Sequence, residues 1–271
     1  MNIQSIFLLV VDVIFTVAGT FLNLLVIVSF WRCSPYLRKK LCNFMIMVVS
    51  FCDFFVVITN YPTLILRLVW WFKEKNSLLA IALIYDHISN VFISISIMAL
   101  LVMSLERYLG AYYPFFLRTS LTRRRLLTLL AVFSLIPIAV HMISANDWIT
   151  SFAMVLGIFV LIVFPPFWFF NYKLFMISRK VRHDLANRRQ NTASPEISTL
   201  HVNLRNTSSC LLSVGCLGFV NTTSFLYIGF NFAEKPTSEN TTFALYLTNT
   251  VASANSSLNC LIFFWKNDVL T

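Results

Sequence analysis

From Ile6 to Phe30 the chain is one long apolar run, and no other feature limits its fold so strongly. A helix needs about 20 apolar residues to cross the hydrocarbon core of a bilayer, and this run supplies them. No basic stretch precedes it and no small-residue cleavage site follows, so it predicts a first transmembrane helix and not a removable signal peptide. Composition extends the reading to the whole chain. Of 271 residues 58% are hydrophobic and 12% charged, with 27 Phe and a mean hydropathy of +0.76, whereas a soluble domain carries about 25% charged residues. That deficit excludes a soluble enzyme. The apolar stretches are long and continuous without alternation, which excludes a transmembrane β-barrel.

Seven apolar segments follow one another at about 5–31, 41–69, 79–110, 125–145, 150–178, 204–230 and 242–265. The expected fold is a single domain, residues 1–271, an all-α membrane protein built as a seven-transmembrane helix bundle. All Lys and Arg except Arg67, Lys73, Lys75 and Lys235 fall on one set of loops, so the positive-inside rule puts the amino end outside and the carboxyl end in the cytosol. The net charge of +10 is thereby a matter of topology and anionic membrane lipids, and no nucleic-acid partner is expected. Trp31, Trp70, Trp71, Trp148 and Trp265 stand at segment ends as interfacial anchors. The six Cys all lie within apolar segments or at their inner ends, so neither a disulfide nor a metal site is expected. Of four Asn-x-Ser/Thr sequons, only that of Asn240 lies in an outward loop, as a glycosylation candidate.

Ionisable groups inside a span cost a few kcal/mol on insertion scales, so each needs a reason. Asp53 lies mid-way along the second segment, with Asn23 in the first, Ser96 in the third and Asn255, Ser256 and Asn259 in the seventh at similar depth. A carboxylate ringed by such oxygens suits a small cation or water; equally, the groups can hydrogen-bond across helices and hold the bundle together. At the inner end of the third segment, Glu106-Arg107-Tyr108 is either a charge pair or an interfacial Arg reaching toward water beside an acid. No nucleophile–base pair, metal cluster or phosphate loop is present, so no enzyme is expected.

Together these residues resemble the rhodopsin-like (class A) G-protein-coupled receptors over nearly the whole chain. Glu106-Arg107-Tyr108 with Pro114 is similar to the family's (Asp/Glu)-Arg-Tyr motif and second-loop Pro, Asn23 to its first-helix Asn, and Asp53 to its second-helix acid. Trp70-Trp71-Phe72 resembles the first outer loop's Trp-x-Phe. The stretch from Asn255 to Phe263 is similar to the Asn-Pro-x-x-Tyr region, with Cys260 for Pro and Phe263 for Tyr. There are departures. No Cys stands near Ala82 or in the second outer loop, Phe133 takes the place of the fourth-helix Trp, and Cys216-Leu217-Gly218-Phe219 replaces the sixth-helix Trp-Pro switch. The short second outer loop resembles the melanocortin, cannabinoid and lysophospholipid receptor branch.

The resemblance implies a plasma-membrane receptor that passes a signal from an extracellular ligand to a heterotrimeric G protein. Arg107 would be held by Glu106 at rest, and Asp53, Ser96, Asn255, Ser256 and Asn259 would form an allosteric Na+ site; no other cofactor is implied. Tyr172 lies near the family's fifth-helix Tyr but out of register. Ser89, where amine receptors carry an Asp, disfavours a monoamine, leaving a lipid or peptide ligand, with Asp86, His87, Ser89 and Asn90 as pocket candidates and Phe92 and His141 beside them. Two rivals remain. One is a receptor-like protein without signalling activity, acting as dimer partner or scaffold. The other, a transporter or channel, lacks the expected repeat symmetry.

Overall fold

A computed structural model of the protein describes residues 3–32, 34–73, 76–143 and 162–189, together with Thr250, Ala254, Ser256, Ser257, Asn259 and Cys260. Asn240, Asn255 and the expected sixth segment lie outside the described residues. The described elements are all helices: α1 (Ile3–Arg32), α2 (Pro35–Lys39), α3 (Leu41–Lys73), α4 (Asn76–Tyr112), α5 (Pro114–Ser120), α6 (Arg123–Ile143) and α7 (Phe164–Arg189). The described residues between 250 and 260 are helical as well. Within α1, α3 and α4 the stretches Ile6–Arg32, Leu41–Thr59 and Val91–Tyr112 are long and apolar enough to cross a membrane. This is the architecture of an all-α membrane protein. At 1.5 Å per residue α4 is about 55 Å long, so it exceeds the roughly 30 Å hydrocarbon core and projects beyond it.

Two connections that carry no apolar run contain short helices. In each a proline begins the helix, Pro35 in α2 and Pro114 in α5, a position where its fixed φ and missing N–H cost nothing. Helix α5 ends where the Leu121 N–H bonds the Leu117 carbonyl at 3.3 Å. Pro165 and Pro166 likewise occupy the first turn of α7.

Packing follows from which residues share a helical face. In α1 Leu8, Asp12, Gly19, Asn23, Val26 and Phe30 are buried at spacings of three, four or seven, while Phe7, Val17 and Phe21 on the other face are 61%, 66% and 63% exposed. A face of large exposed apolar groups is tolerable where the surrounding medium is lipid. Helix α3 lies between α1 and α4 and is antiparallel to both, since Phe30 meets Phe44 while Gly19 meets Val57, and Asp53 meets Ser96 while Phe55 meets Phe92. Helix α4 touches α3, α5, α6 and α7 and is the hub of the bundle. Its buried positions Ala99, Val102 and Met103 join Met45 and Val49 of α3, Leu126 and Leu130 of α6, and Phe164 and Phe167 of α7 in one core.

Gly19 is where α1 comes closest to its neighbours. A Cβ there would fall on the Ser257 hydroxyl and lie 3.0 Å from Val57 Cγ2. Gly110, by contrast, has only Leu117 Cδ2 nearby, at 3.7 Å. Gly19→Ala is expected to cost about 1–3 kcal/mol by overpacking. Gly110→Ala should be neutral or stabilise by up to about 1 kcal/mol through helix propensity. Thermal unfolding of the two purified variants in detergent checks the difference in sign.

Candidate functional site

The polar residues singled out in the sequence gather in two centres along α4, about 15 Å apart by the helical rise from Ser96 to Glu106. The first centre is built on Asp53, which is fully buried. Ser96 of α4 donates its hydroxyl to Asp53 Oδ1, and Asn259 Nδ2 donates to Oδ2 at 2.8 Å. The Ser256 hydroxyl lies close to the same carboxylate. Four of the five residues of the expected cation site therefore meet, drawn from α3, α4 and the carboxy-terminal helical residues. Each bond supplies what water would supply outside the membrane, because an unsatisfied polar group in hydrocarbon costs several kcal/mol.

Asn23 forms the adjoining link. Its Nδ2 donates to the Gly19 carbonyl at 2.9 Å and to the Ser256 carbonyl at 3.2 Å. Its Oδ1 accepts from the Cys260 thiol. Cys260 therefore does something a proline there could not, since it returns a side-chain donor to α1. Further along, Ser257 Oγ donates to the Phe15 carbonyl at 3.2 Å, and Thr250 Oγ1 donates to Asp12 Oδ1 at 2.9 Å. Thr250 with Asp12, Ser257 with Phe15 and Cys260 with Asn23 rise together in number, so α1 and the carboxy-terminal helical residues run in the same direction.

At the second centre Glu106 is buried and its Oε2 lies 3.5 Å from Arg107 Nε, an ion pair between neighbours. Tyr108 does not join them. Its ring packs in an aromatic group with Tyr112 at 4.7 Å, Phe170 of α7 at 5.2 Å and Phe169 at 6.1 Å between centroids. One turn earlier Ser104 Oγ donates to the Leu100 carbonyl and accepts from Asn171 Nδ2 of α7 at 3.4 Å. Asn171 faces inward on that helix, whereas its neighbour Tyr172 is 59% exposed among the described residues.

The outer candidates fare differently. Ser89 is buried within α4, and the side chains of Asp86, His87, Asn90 and His141 lie outside the described residues. Phe92 stacks on Phe55 with centroids 5.0 Å apart and planes at 13°, which makes it a packing contact between α3 and α4. Phe133 packs against the core from α6. Cys42, Cys52 and Cys260 are thiols outside any disulfide.

Asp12, Gly19 and Asn171 belong to none of the motifs that mark the other polar residues in the sequence. Asp12 was open to the rule that singled out Asp53, an ionisable group within an apolar run. Gly19 and Asn171 acquire their roles only from the neighbour across the interface. The chain matches no protein-family model and no curated protein.

The two α1 centres differ in what depends on them. Asn23→Leu removes the amide donor from the Gly19 and Ser256 carbonyls and the acceptor from the Cys260 thiol, at an expected cost of about 1–3 kcal/mol. Asp12→Leu should be close to neutral, because the Thr250 hydroxyl turns to a carbonyl of its own helix and an apolar replacement removes a buried carboxylate. Unfolding temperatures of the two variants measure the contrast.

Proposed function

We propose that the chain is a rhodopsin-like seven-span receptor that couples an extracellular ligand to a heterotrimeric G protein at the plasma membrane. One observation carries the reading. Helix α4 carries both Ser96, which donates to the buried Asp53 of α3, and, ten residues later, the buried Glu106 paired with Arg107, as the sequence resemblance implies. The shared direction of α1 and the carboxy-terminal residues supports an odd number of spans, as an outer amino end and a cytosolic carboxyl end demand. The cytosolic end would be the one rich in Arg38, Lys39, Lys40, Arg123, Arg124 and Arg125.

Physically, such a device is a bundle with two arrangements, in which a charge changes partners when a helix moves. Arg107 is held by Glu106 in the described arrangement. Its guanidinium is the group that would engage the G protein once neighbouring helices part. The exposed rings of Tyr113, Phe115 and Phe116 on and beside α5 flank that end of α4. A lipid or peptide is a better ligand than a monoamine, because Ser89 offers no charge to an ammonium group.

The Asp53 centre also fits a sodium ion. The Asp53 carboxylate with the hydroxyls of Ser96 and Ser256 beside it is a set of hard oxygen donors, as a hard cation prefers, and the Asn259 amide, whose Nδ2 now faces the carboxylate, would turn its oxygen to the ion. When bound, the ion would neutralise the carboxylate and hold α3, α4 and the carboxy-terminal helical residues together. Raising NaCl at constant ionic strength against choline chloride should lift the unfolding temperature by about 2–4 °C at an ion concentration several times its dissociation constant. Asp53→Asn should abolish that response. Equal responses of the two proteins would exclude the site.

A second reading, a receptor-like partner or scaffold without signalling, is favoured by Cys260 and Phe263 standing in the seventh segment where Pro and Tyr are usual. Basal second-messenger output separates the two. Cells expressing the chain should exceed empty cells, and Arg107→Ala at equal surface expression should bring the output down to background. Output indifferent to Arg107 would overturn the coupling mechanism. Nucleotide exchange on purified G protein, absent across G-protein subtypes, would favour the scaffold.

A further inference from the structure

Four helix ends meet around a cavity of about 380 Å³ that neither polar centre uses. Its walls are Phe30 and Trp31 from the end of α1 and Phe44 and Met47 from the start of α3. Its rim carries Arg38 and Lys39 of α2 and Arg123 of α6, and among the described residues no acidic one lines it. The volume lies within the roughly 300–1,000 Å³ range of small-molecule sites. Its position is the boundary where the apolar stretches Ile6–Arg32 and Leu41–Thr59 end in cations, which is the edge of the hydrocarbon layer. Trp31, at 62% exposed, stands at that edge.

We propose that this cleft is a binding site for one anionic phospholipid. An acyl chain lies along Phe30, Trp31, Phe44 and Met47, and the headgroup phosphate sits among Arg38, Lys39 and Arg123. The combination of walls and rim selects the occupant. A free phosphate would leave the apolar walls unmatched, and a neutral lipid would leave the cations unmatched. Arg123 is already held at the rim, since it donates to the Arg38 carbonyl and its guanidinium stands 5.1 Å over the Phe44 ring. Only part of its five N–H groups is used in this way, and Arg offers a phosphate a forked pair. The same bond joins α2 to α6, so an occupied cleft would clamp the α1–α3 connection against α6. This site stands whether or not the chain signals.

The test uses the full chain in nanodiscs of neutral phosphatidylcholine, titrated with phosphatidylinositol 4,5-bisphosphate carrying brominated acyl chains. Tryptophan quenching reports chain entry, and native mass spectrometry counts the lipids retained. One lipid should be retained by the wild type. Arg38→Gln with Lys39→Gln should weaken binding about thirtyfold, from about 1 kcal/mol per charge. Arg124→Gln with Lys40→Gln, which removes two basic charges outside the cleft, should weaken it less than about threefold. Met47→Trp, filling the apolar wall, should weaken lipid binding while leaving both basic clusters intact. Equal losses for the two charge pairs would show a diffuse electrostatic surface and overturn the proposal. So would competition by the deacylated headgroup as strong as that by the intact lipid, since the occupant would then be a soluble phosphate. Lys39→Arg, which keeps the charge, should bind as the wild type does where Lys39→Gln does not, and that contrast separates lost charge from lost fold.

Discussion

A carboxylate in hydrocarbon has no water to solvate it, and the Asp53 side chain depends wholly on what the surrounding helices bring to it. Ser96 approaches from α4 and Asn259 from the carboxy-terminal helical residues, one to each oxygen. Three parts of the chain separated by long stretches of sequence are thereby fixed in depth relative to one another. Apolar contacts alone would not set that register, because lipid tails are as good a neighbour for Leu or Phe as another helix is. Removing one donor leaves a lone pair unsatisfied; sliding one helix by a turn, about 5.4 Å, would leave several.

The same logic explains α1. Its outward face of Phe7, Val17 and Phe21 has no preference for any protein neighbour, so its place is set by the inward side chains. Gly19 allows the backbone to approach Ser257 and Val57. That approach brings Asn23 within reach of the Ser256 carbonyl and the Cys260 thiol, and Asp12 within reach of Thr250. Close packing and hydrogen bonding are one arrangement here. A small residue at the contact is what lets the polar groups meet, as in other membrane helix pairs.

Much of this was legible in the sequence, for a physical reason. Long apolar segments allow almost no structure except helices, so α1, α3, α4 and α6 could be placed to within a few residues. The scarcity of polar groups in them makes each one conspicuous, which is how Asn23, Asp53, Ser96, Ser256 and Asn259 were found. Pairings were harder to read. Whether Tyr172 or Asn171 faces inward depends on the phase of α7, and a segment as aromatic as Phe164–Phe170 has no polar face to set that phase. The two short helices α2 and α5 were not legible either, since five or seven residues carry too little periodicity and only their opening prolines mark them.

Helix α4 joins the two polar centres mechanically as well as in sequence. Ser96 ties its middle to Asp53, while Ser104 and Tyr108 tie its carboxy-terminal part to Asn171 and the aromatic rings of α7. A continuous helix transmits rotation and translation between its ends, because bending it would break backbone hydrogen bonds that nothing in hydrocarbon replaces. A displacement of α4 at Ser96 would therefore be carried along the helix toward Glu106 and Arg107. The contacts that yield first are the weaker ones at the α7 side, a 3.4 Å hydrogen bond and a set of tilted rings, which separate without stranding a charge. The α3 side, where a carboxylate would be stranded, holds. Among the described neighbours of α4, α7 is therefore held by weaker polar contacts than α3 is, and Glu106 and Arg107 lie on the same half of α4 as those contacts.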